Sequence, residues 1–223
     1  MEYFNRFFSL LDENQIHKIK SAKVCIVGLG GVGSVSALTL ARCGISNFVI
    51  CDFDVVQESN INRQVIANIN TIGKYKADVT KEMILEINPN ANVEVIKEKF
   101  TEELSLFEFN FDYLIDAIDD INNKYLLIKK CLEHDKCFIS SMGTAKKFDS
   151  SKLKVVDISK TSYDPLAKRI RKKLRDDNIN KKFMVVSSTE EITKSEILGS
   201  YMIVTSYSGL LLADYIIKQI INK

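Results

Sequence analysis

Much is scarce in this chain, and each scarcity narrows what it can be. Its 223 residues hold no tryptophan, two prolines and two histidines. The five cysteines, Cys25, Cys43, Cys51, Cys131 and Cys137, are odd in number and none forms a CxxC pair. That pattern argues against a disulfide framework and against a four-cysteine zinc site. No run approaches the roughly 20 apolar residues that cross a bilayer. The apolar stretch from Leu210 to Ile221 is broken by Asp214 and Lys218. Asn5, Arg6, Asp12 and Glu13 interrupt the first apolar residues, unlike a secretory signal. The expectation is a soluble cytoplasmic protein with no membrane partner. Net charge is only +2, so a polyanionic partner would need a local basic face. A 46% hydrophobic and 27% charged composition is that of a folded globular chain, long enough for one large domain.

Glycine is also scarce, nine in all, yet Gly28, Gly30, Gly31 and Gly33 fall within six residues. They follow the apolar run Lys23 to Val27 and precede a helical pattern of Val35, Leu38, Leu40 and Ala41. A buried strand that turns at once into a helix needs such residues. The backbone can then approach a phosphate, and the helix N-terminus presents free N–H groups to the anion. The spacing Gly28, Gly30, Gly33 is a dinucleotide-binding fingerprint, which points to a nucleotide and leaves open which one.

Downstream, strands and helices alternate. Strands are expected over Asn47–Cys51, Asn92–Lys97, Asp112–Ile118 and Lys136–Ser141, with helices over Lys76–Ile87 and Asn122–His134. Asn88-Pro89 stops one helix, and Asp164-Pro165 starts another, Leu166 to Arg175. Tyr3 to Lys20 reads as a short amphipathic helix. Further strands are expected over Leu153–Ile158, Phe183–Ser187 and Tyr201–Thr205, a loop over Thr189–Ser195, and a closing helix after Ser208-Gly209. The fold class is α/β, a doubly wound, mostly parallel Rossmann-like sheet extended by C-terminal strands. One domain is expected over 1–223, with a nucleotide-binding core at 1–143 and an extension at 144–223 facing the substrate.

Two chemistries compete at the glycines. A nicotinamide cofactor would explain them and would explain Asp52, which ends a strand about twenty residues later. It would leave Asn62, Arg63 and Lys76 without a role. ATP attacked at its α-phosphorus needs its charge neutralised and needs a metal. Arg63 and Lys76 could supply cations and Asp119 a magnesium ligand, all gathered where the sheet order reverses.

The motifs Gly28 to Ser34, Asp52-Phe53-Asp54, Asn60 to Gln64, Gly73 to Ala77 and Asp116 to Asp120, in this order, resemble the ThiF/MoeB superfamily of ATP-dependent adenylating enzymes. That superfamily includes the ubiquitin-activating enzymes. The resemblance implies ATP and Mg2+ as ligands. It places Gly31 beside the phosphates, Asp52 on the ribose, and Asn62, Arg63 and Lys76 on the triphosphate. It makes Asp119 the magnesium ligand, and makes Arg6 a residue that reaches a neighbouring subunit's ATP site in a homodimer. Asn88 to Ala91, Ser141-Met142-Gly143, Asp157 to Thr161 and Asp164 to Ala167 are similar to one branch, the tRNA threonylcarbamoyladenosine dehydratases. That branch implies cyclisation of a modified adenosine next to the tRNA anticodon through an acyl-adenylate, with loss of water. The chain departs from the branch at Thr144-Ala145-Lys146-Lys147, where a smaller, glycine-rich turn is expected, and in a shortened segment from Ser187 to Gly199. The alternative is an adenylyltransferase that activates a ubiquitin-like sulfur carrier. Sulfur-transfer proteins are a further class of partner.

One helix suits tRNA. Leu166, Ile170 and Leu174 form its apolar stripe, while Lys168, Arg169, Arg171, Lys172, Lys173 and Arg175 fill the other faces with no acid among them. Such a face fits a phosphate backbone; without aromatic residues it offers no base stacking. The cysteines read as small core hydrophobes, His17 and His134 as surface residues, and Asp116 as structural.

Overall fold

Strands buried on both faces need near-continuous apolar runs, and the central strands have them apart from a polar residue at one end of each, Lys23, Asn47 and Asp116. In a computed structural model, which describes residues 2–191 and 199–222, β1 (Lys23–Val27), β2 (Asn47–Cys51) and β4 (Tyr113–Asp116) are buried almost throughout. With β3 (Asn92–Ile96), β5 (Cys137–Ser141), β6 (Leu153–Asp157) and β7 (Met184–Ser188) they form a seven-stranded sheet of order β3-β2-β1-β4-β5-β7-β6. Every pairing is parallel except that of the edge strand β6 with β7.

Alternate residues of each strand feed two cores. Val24 and Ile26 of β1 join Phe48 and Ile50 of β2 under one layer of helices. That layer contains α2 (Glu13–Ser21), α3 (Gly33–Arg42), α4 (Lys76–Ile87) and α7 (Met202–Asn222). Cys25, Val27, Val49 and Cys51 point the other way, towards α5 (Ile121–Glu133) and α6 (Pro165–Asp176). Cys25, Cys51 and Cys131 are buried and Cys43 and Cys137 half-buried, all as free thiols. The sheet order reverses between β1 and β4, which opens a crevice at their carboxyl ends.

Two expectations need correction. Tyr3 to Lys20 is not one helix. A 3-10 turn at Glu2–Phe4 leads into α1 (Asn5–Phe8), and α2 begins only after Asp12. The Asp12 carboxylate accepts from the Gln15 backbone N–H at 2.8 Å, and Asp12 N donates to the Gln15 amide oxygen at 3.1 Å, a reciprocal cap that restarts the helix. Tyr201–Thr205 is not a strand; α7 already starts at Met202. Its β-branched residues suggested a strand, but Val204, Thr205, Ser208 and Gly209 are buried at helical spacing. A Cβ on Gly209 would come within 2.5 Å of the Val32 carbonyl of α3's entry turn, so its absence lets the two helices close. Tertiary packing here overrides local preference. The loop expected over Thr189–Ser195 lies mostly outside the described residues.

Candidate nucleotide site

The site is built from connections, each launched from a strand's carboxyl end. After β1 the chain turns at Gly28, whose φ of +90° lies in the region that side chains resist. A Cβ there would meet the Ala117 carbonyl at 2.7 Å, and one on Gly33 would strike the Gly28 carbonyl. The strand can therefore turn directly into α3 only with glycine at both places. No side chain caps α3; Ser34 N turns back to the Gly30 carbonyl at 3.2 Å, and the start of the helix opens on the cleft beside Gly30, Gly31 and Val32. Gly31 has a packing reason of its own: its Cβ would lie 2.8 Å from the Arg63 carbonyl and 3.2 Å from Thr205 Oγ1. Gly30 has no such tight neighbour.

Asp52, at the end of β2, braces this turn. One carboxylate oxygen accepts from Leu29 N at 2.6 Å and the other from Asp54 N at 2.8 Å. Burial pushes its pKa up, while those N–H bonds and Lys76 pull it back. Lys76, the first residue of α4, is itself buried, and its ammonium meets Asp54 at 2.7 Å. Arg63 is half-buried, its guanidinium donating to the Ser59 carbonyl at 2.7 Å and to Asn62 Oδ1 at 3.0 Å. Gly28, Asp52, Arg63, Lys76 and Asp119 all line one cleft of about 1130 Å³. Asn62 lies just outside, in a smaller groove that shares Arg63 and Ser59 with the cleft.

Asp119 and Asp120 divide two tasks. Asp120 caps α5, accepting from Asn123 N at 2.9 Å. Asp119 is exposed in the cleft and has no hydrogen-bond or ion-pair partner among the described residues. Behind them, Asp116 is fully buried. It accepts from Ile118 N at 3.0 Å and from the Lys124 ammonium at 2.7 Å, and Ser140 completes the cluster. Asp116 is thus structural, as its position implied, and it fixes the turn that carries Asp119.

The far wall comes mainly from the 144–223 extension expected on the substrate side, though Lys147 and Asp164 carried no individual roles. Asp164 accepts from Gly143 N and Ala167 N, each at 3.0 Å, and from Ser187 Oγ at 3.2 Å. Lys147 lies 3.8 Å from the same carboxylate and donates to the Ser188 carbonyl at 3.2 Å. Burial pushes the Lys147 pKa down, opposed by Asp164 and Glu190. Both residues line the cleft, as do Arg169 and Gln64. Gln64 Oε1 is buried without a partner among the described residues, an acceptor open to a donor on a ligand. Gln64 lay within the Asn60 to Gln64 motif with no role attached, and Lys147 and Asp164 lay in segments noted for resemblance or departure without being paired as a wall.

The basic helix α6 is less uniform than its sequence. Arg171 is bound inwards, donating to the Ile158 and Thr161 carbonyls and the Thr161 hydroxyl. Lys173 lies over the Tyr125 ring, 5.3 Å from its centroid. Lys168, Lys172 and Arg175 are exposed, and Arg169 faces the cleft. Arg6 is exposed on α1, near the Gly44 turn at the amino edge of the sheet, and the fold does not bring it to this cleft.

The sequence pattern of the ThiF family matches residues 4–223. The tRNA threonylcarbamoyladenosine dehydratase of Bacillus subtilis is 40% identical over 192 residues, covering 85% of this chain and 76% of that protein. The crystal structure of Escherichia coli tRNA N6-threonylcarbamoyladenosine dehydratase, TcdA, in complex with ATP superposes with a TM-score of 0.95. Its sequence is 31% identical, over 99% of this chain and 94% of that one. A molybdopterin-synthase adenylyltransferase from Haemophilus influenzae is 36% identical, over only 51% of this chain and 47% of its own.

Proposed function

Because this chain belongs to the ThiF family, we propose that it catalyses the ATP-dependent dehydration of threonylcarbamoyladenosine in tRNA. One observation carries the reading. Asp52, Arg63, Lys76 and Asp119 share one cleft with a second wall from residues 143–169, room for a nucleotide on one side and its acceptor on the other. The threonyl carboxylate attacks the α-phosphorus of ATP, forming an acyl-adenylate and releasing pyrophosphate. The ureido group then attacks the activated carbonyl, closes a ring and expels AMP. The substrate brings both nucleophiles, so the protein positions the reactants and neutralises charge.

The following roles belong to the same proposal. The glycine turn and the open start of α3 receive phosphate. Arg63 and Lys76 face the triphosphate, with Asn62 supporting Arg63. Asp52 holds the turn and offers its carboxylate to the ribose. Asp119 would hold the magnesium ion, which neutralises phosphate charge when bound. Magnesium commonly takes one or two carboxylates plus phosphates, and an Asp119 with no partner among the described residues suits that need. Among the described residues no group of three or more His, Cys, Asp or Glu gathers as a metal cage. Lys168, Arg169, Lys172 and Arg175 face the tRNA backbone. Arg6, remote from its own cleft, serves that of a second copy in a homodimer. The unit works as one adenylating domain in the cytoplasm, with 144–223 on the substrate side.

The test incubates the protein with ATP, magnesium and tRNA carrying threonylcarbamoyladenosine, then weighs the released nucleosides under conditions that protect the cyclic product. The expected product is lighter by one water only when ATP is present. An unchanged nucleoside, with pyrophosphate exchange driven instead by a small Gly-Gly-ending protein, would hand the site to sulfur-carrier activation.

A further inference from the structure

The turn that carries Lys147 also carries a ring the nucleotide site does not use. Phe148 is 71% exposed. It stacks on Tyr201 with centroids 4.5 Å apart and planes 16° from parallel. Phe148 directly follows Lys147, and Tyr201 directly follows Ser200; both preceding residues line the cleft. Neither ring lines the cleft itself, and the chain places the pair directly beside it. The pair is also held firmly. Phe148 N and Asp149 N donate to the Glu190 carboxylate at 3.0 and 2.9 Å, and Lys146 N donates to the Gly199 carbonyl at 2.9 Å.

Single exposed apolar side chains are ordinary. Two rings already stacked, rigidly backed and set beside a site are a different matter. Tyr201 covers part of Phe148, and most of the remaining ring faces water. The surroundings indicate what would cover it, because Lys146 and Arg169 line the adjoining cleft, whereas Lys147 is buried against Asp164. Cations beside an open aromatic face suit an unpaired nucleobase with its phosphate better than an apolar peptide. We propose that Phe148, backed by Tyr201, is a stacking platform for an unpaired base of the tRNA loop that flanks the modified adenosine. The proposal rests on the tRNA reading above. It assigns base stacking to the 144–149 turn and not to α6, and it gives the departure from the expected glycine-rich turn a purpose.

Because the ring is exposed, Phe148→Ala should fold as the parent does. Its apparent KM for modified tRNA is expected to rise about tenfold, with ATP affinity and kcat at saturating tRNA unchanged, and Phe148→Tyr should restore it. The chain has no tryptophan, so Phe148→Trp adds a single indole reporter. A modified anticodon stem-loop should quench its emission whether or not turnover occurs. An RNA abasic beside the modified adenosine should bind the parent about tenfold more weakly, and Phe148→Ala should add no further loss. An unchanged KM, additive losses with the abasic RNA, or quenching by a Gly-Gly-ending protein and not by RNA would overturn the platform. Absence of any dehydrated nucleoside with the parent enzyme would instead overturn the dehydratase reading, and the indole would still report whether RNA stacks.

Discussion

Asp119 and Asp120 are neighbours with opposite uses. Asp119 has no protein partner among the described residues, whereas Asp120 closes the first turn of α5. Asp119→Asn is expected to abolish nucleoside dehydration while leaving the thermal midpoint unchanged. Asp120→Ala should instead cost about 1 kcal/mol of stability through the lost cap, with turnover largely kept. Paired denaturation and activity assays separate the two, and a dead Asp120→Ala beside an active Asp119→Asn would reverse the assignment. Cys51 carries a second prediction. Burial, with Asp52 and Glu98 nearby, pushes its thiol up to about 12, whereas an exposed thiol titrates near about 8.5. Between those values the unfolded chain has released a proton that the folded chain keeps. Its contribution to stability is full below the lower value and is lost as pH rises towards the higher one, by about 1.4 kcal/mol per pH unit. Urea titrations should show the parent's margin over Cys51→Ala shrinking across that window. The same burial keeps the thiol poorly reactive at neutral pH.

At the scale of the element, α6 separates charge by function. Arg171 ties the helix to the Ile158–Thr161 turn, and Lys173 sits over Tyr125. Lys168, Lys172 and Arg175 are exposed. Replacing those three with glutamine should weaken tRNA binding alike for all sequences and flatten its dependence on salt. Arg171→Gln should lower the unfolding midpoint more than it lowers tRNA affinity. Filter binding over a salt series checks the first, and thermal denaturation the second. This division was invisible in the sequence, where six cations in eight positions look equivalent. The glycine turn, by contrast, was legible because chemistry restricts it: Gly28 and Gly33 leave no room for a Cβ. Helix α7 was misread at its start because its β-branched residues obey packing on α3 and not their own preference.

Across the whole molecule, the doubly wound α/β class was readable because strands and helices alternate along the chain. Lys147 and Asp164 were not readable as a wall of the cleft, since 17 positions separate them and only the fold brings them within 3.8 Å. The Asp116–Lys124–Ser140 cluster shows another property of the whole. Its ammonium and carboxylate are fully buried, joining β4, α5 and β5. Lys124→Met or Asp116→Leu alone should cost about 3–5 kcal/mol by stranding a buried charge, whereas both together should cost much less. A double-mutant cycle in urea measures the gap, and additive costs would count against it. The consequence is historical. If each single change costs that much stability, substitution at one position disfavours the fold until the other changes too. The turn that presents Asp119 is thereby anchored to a pair that lineages would alter jointly or leave alone.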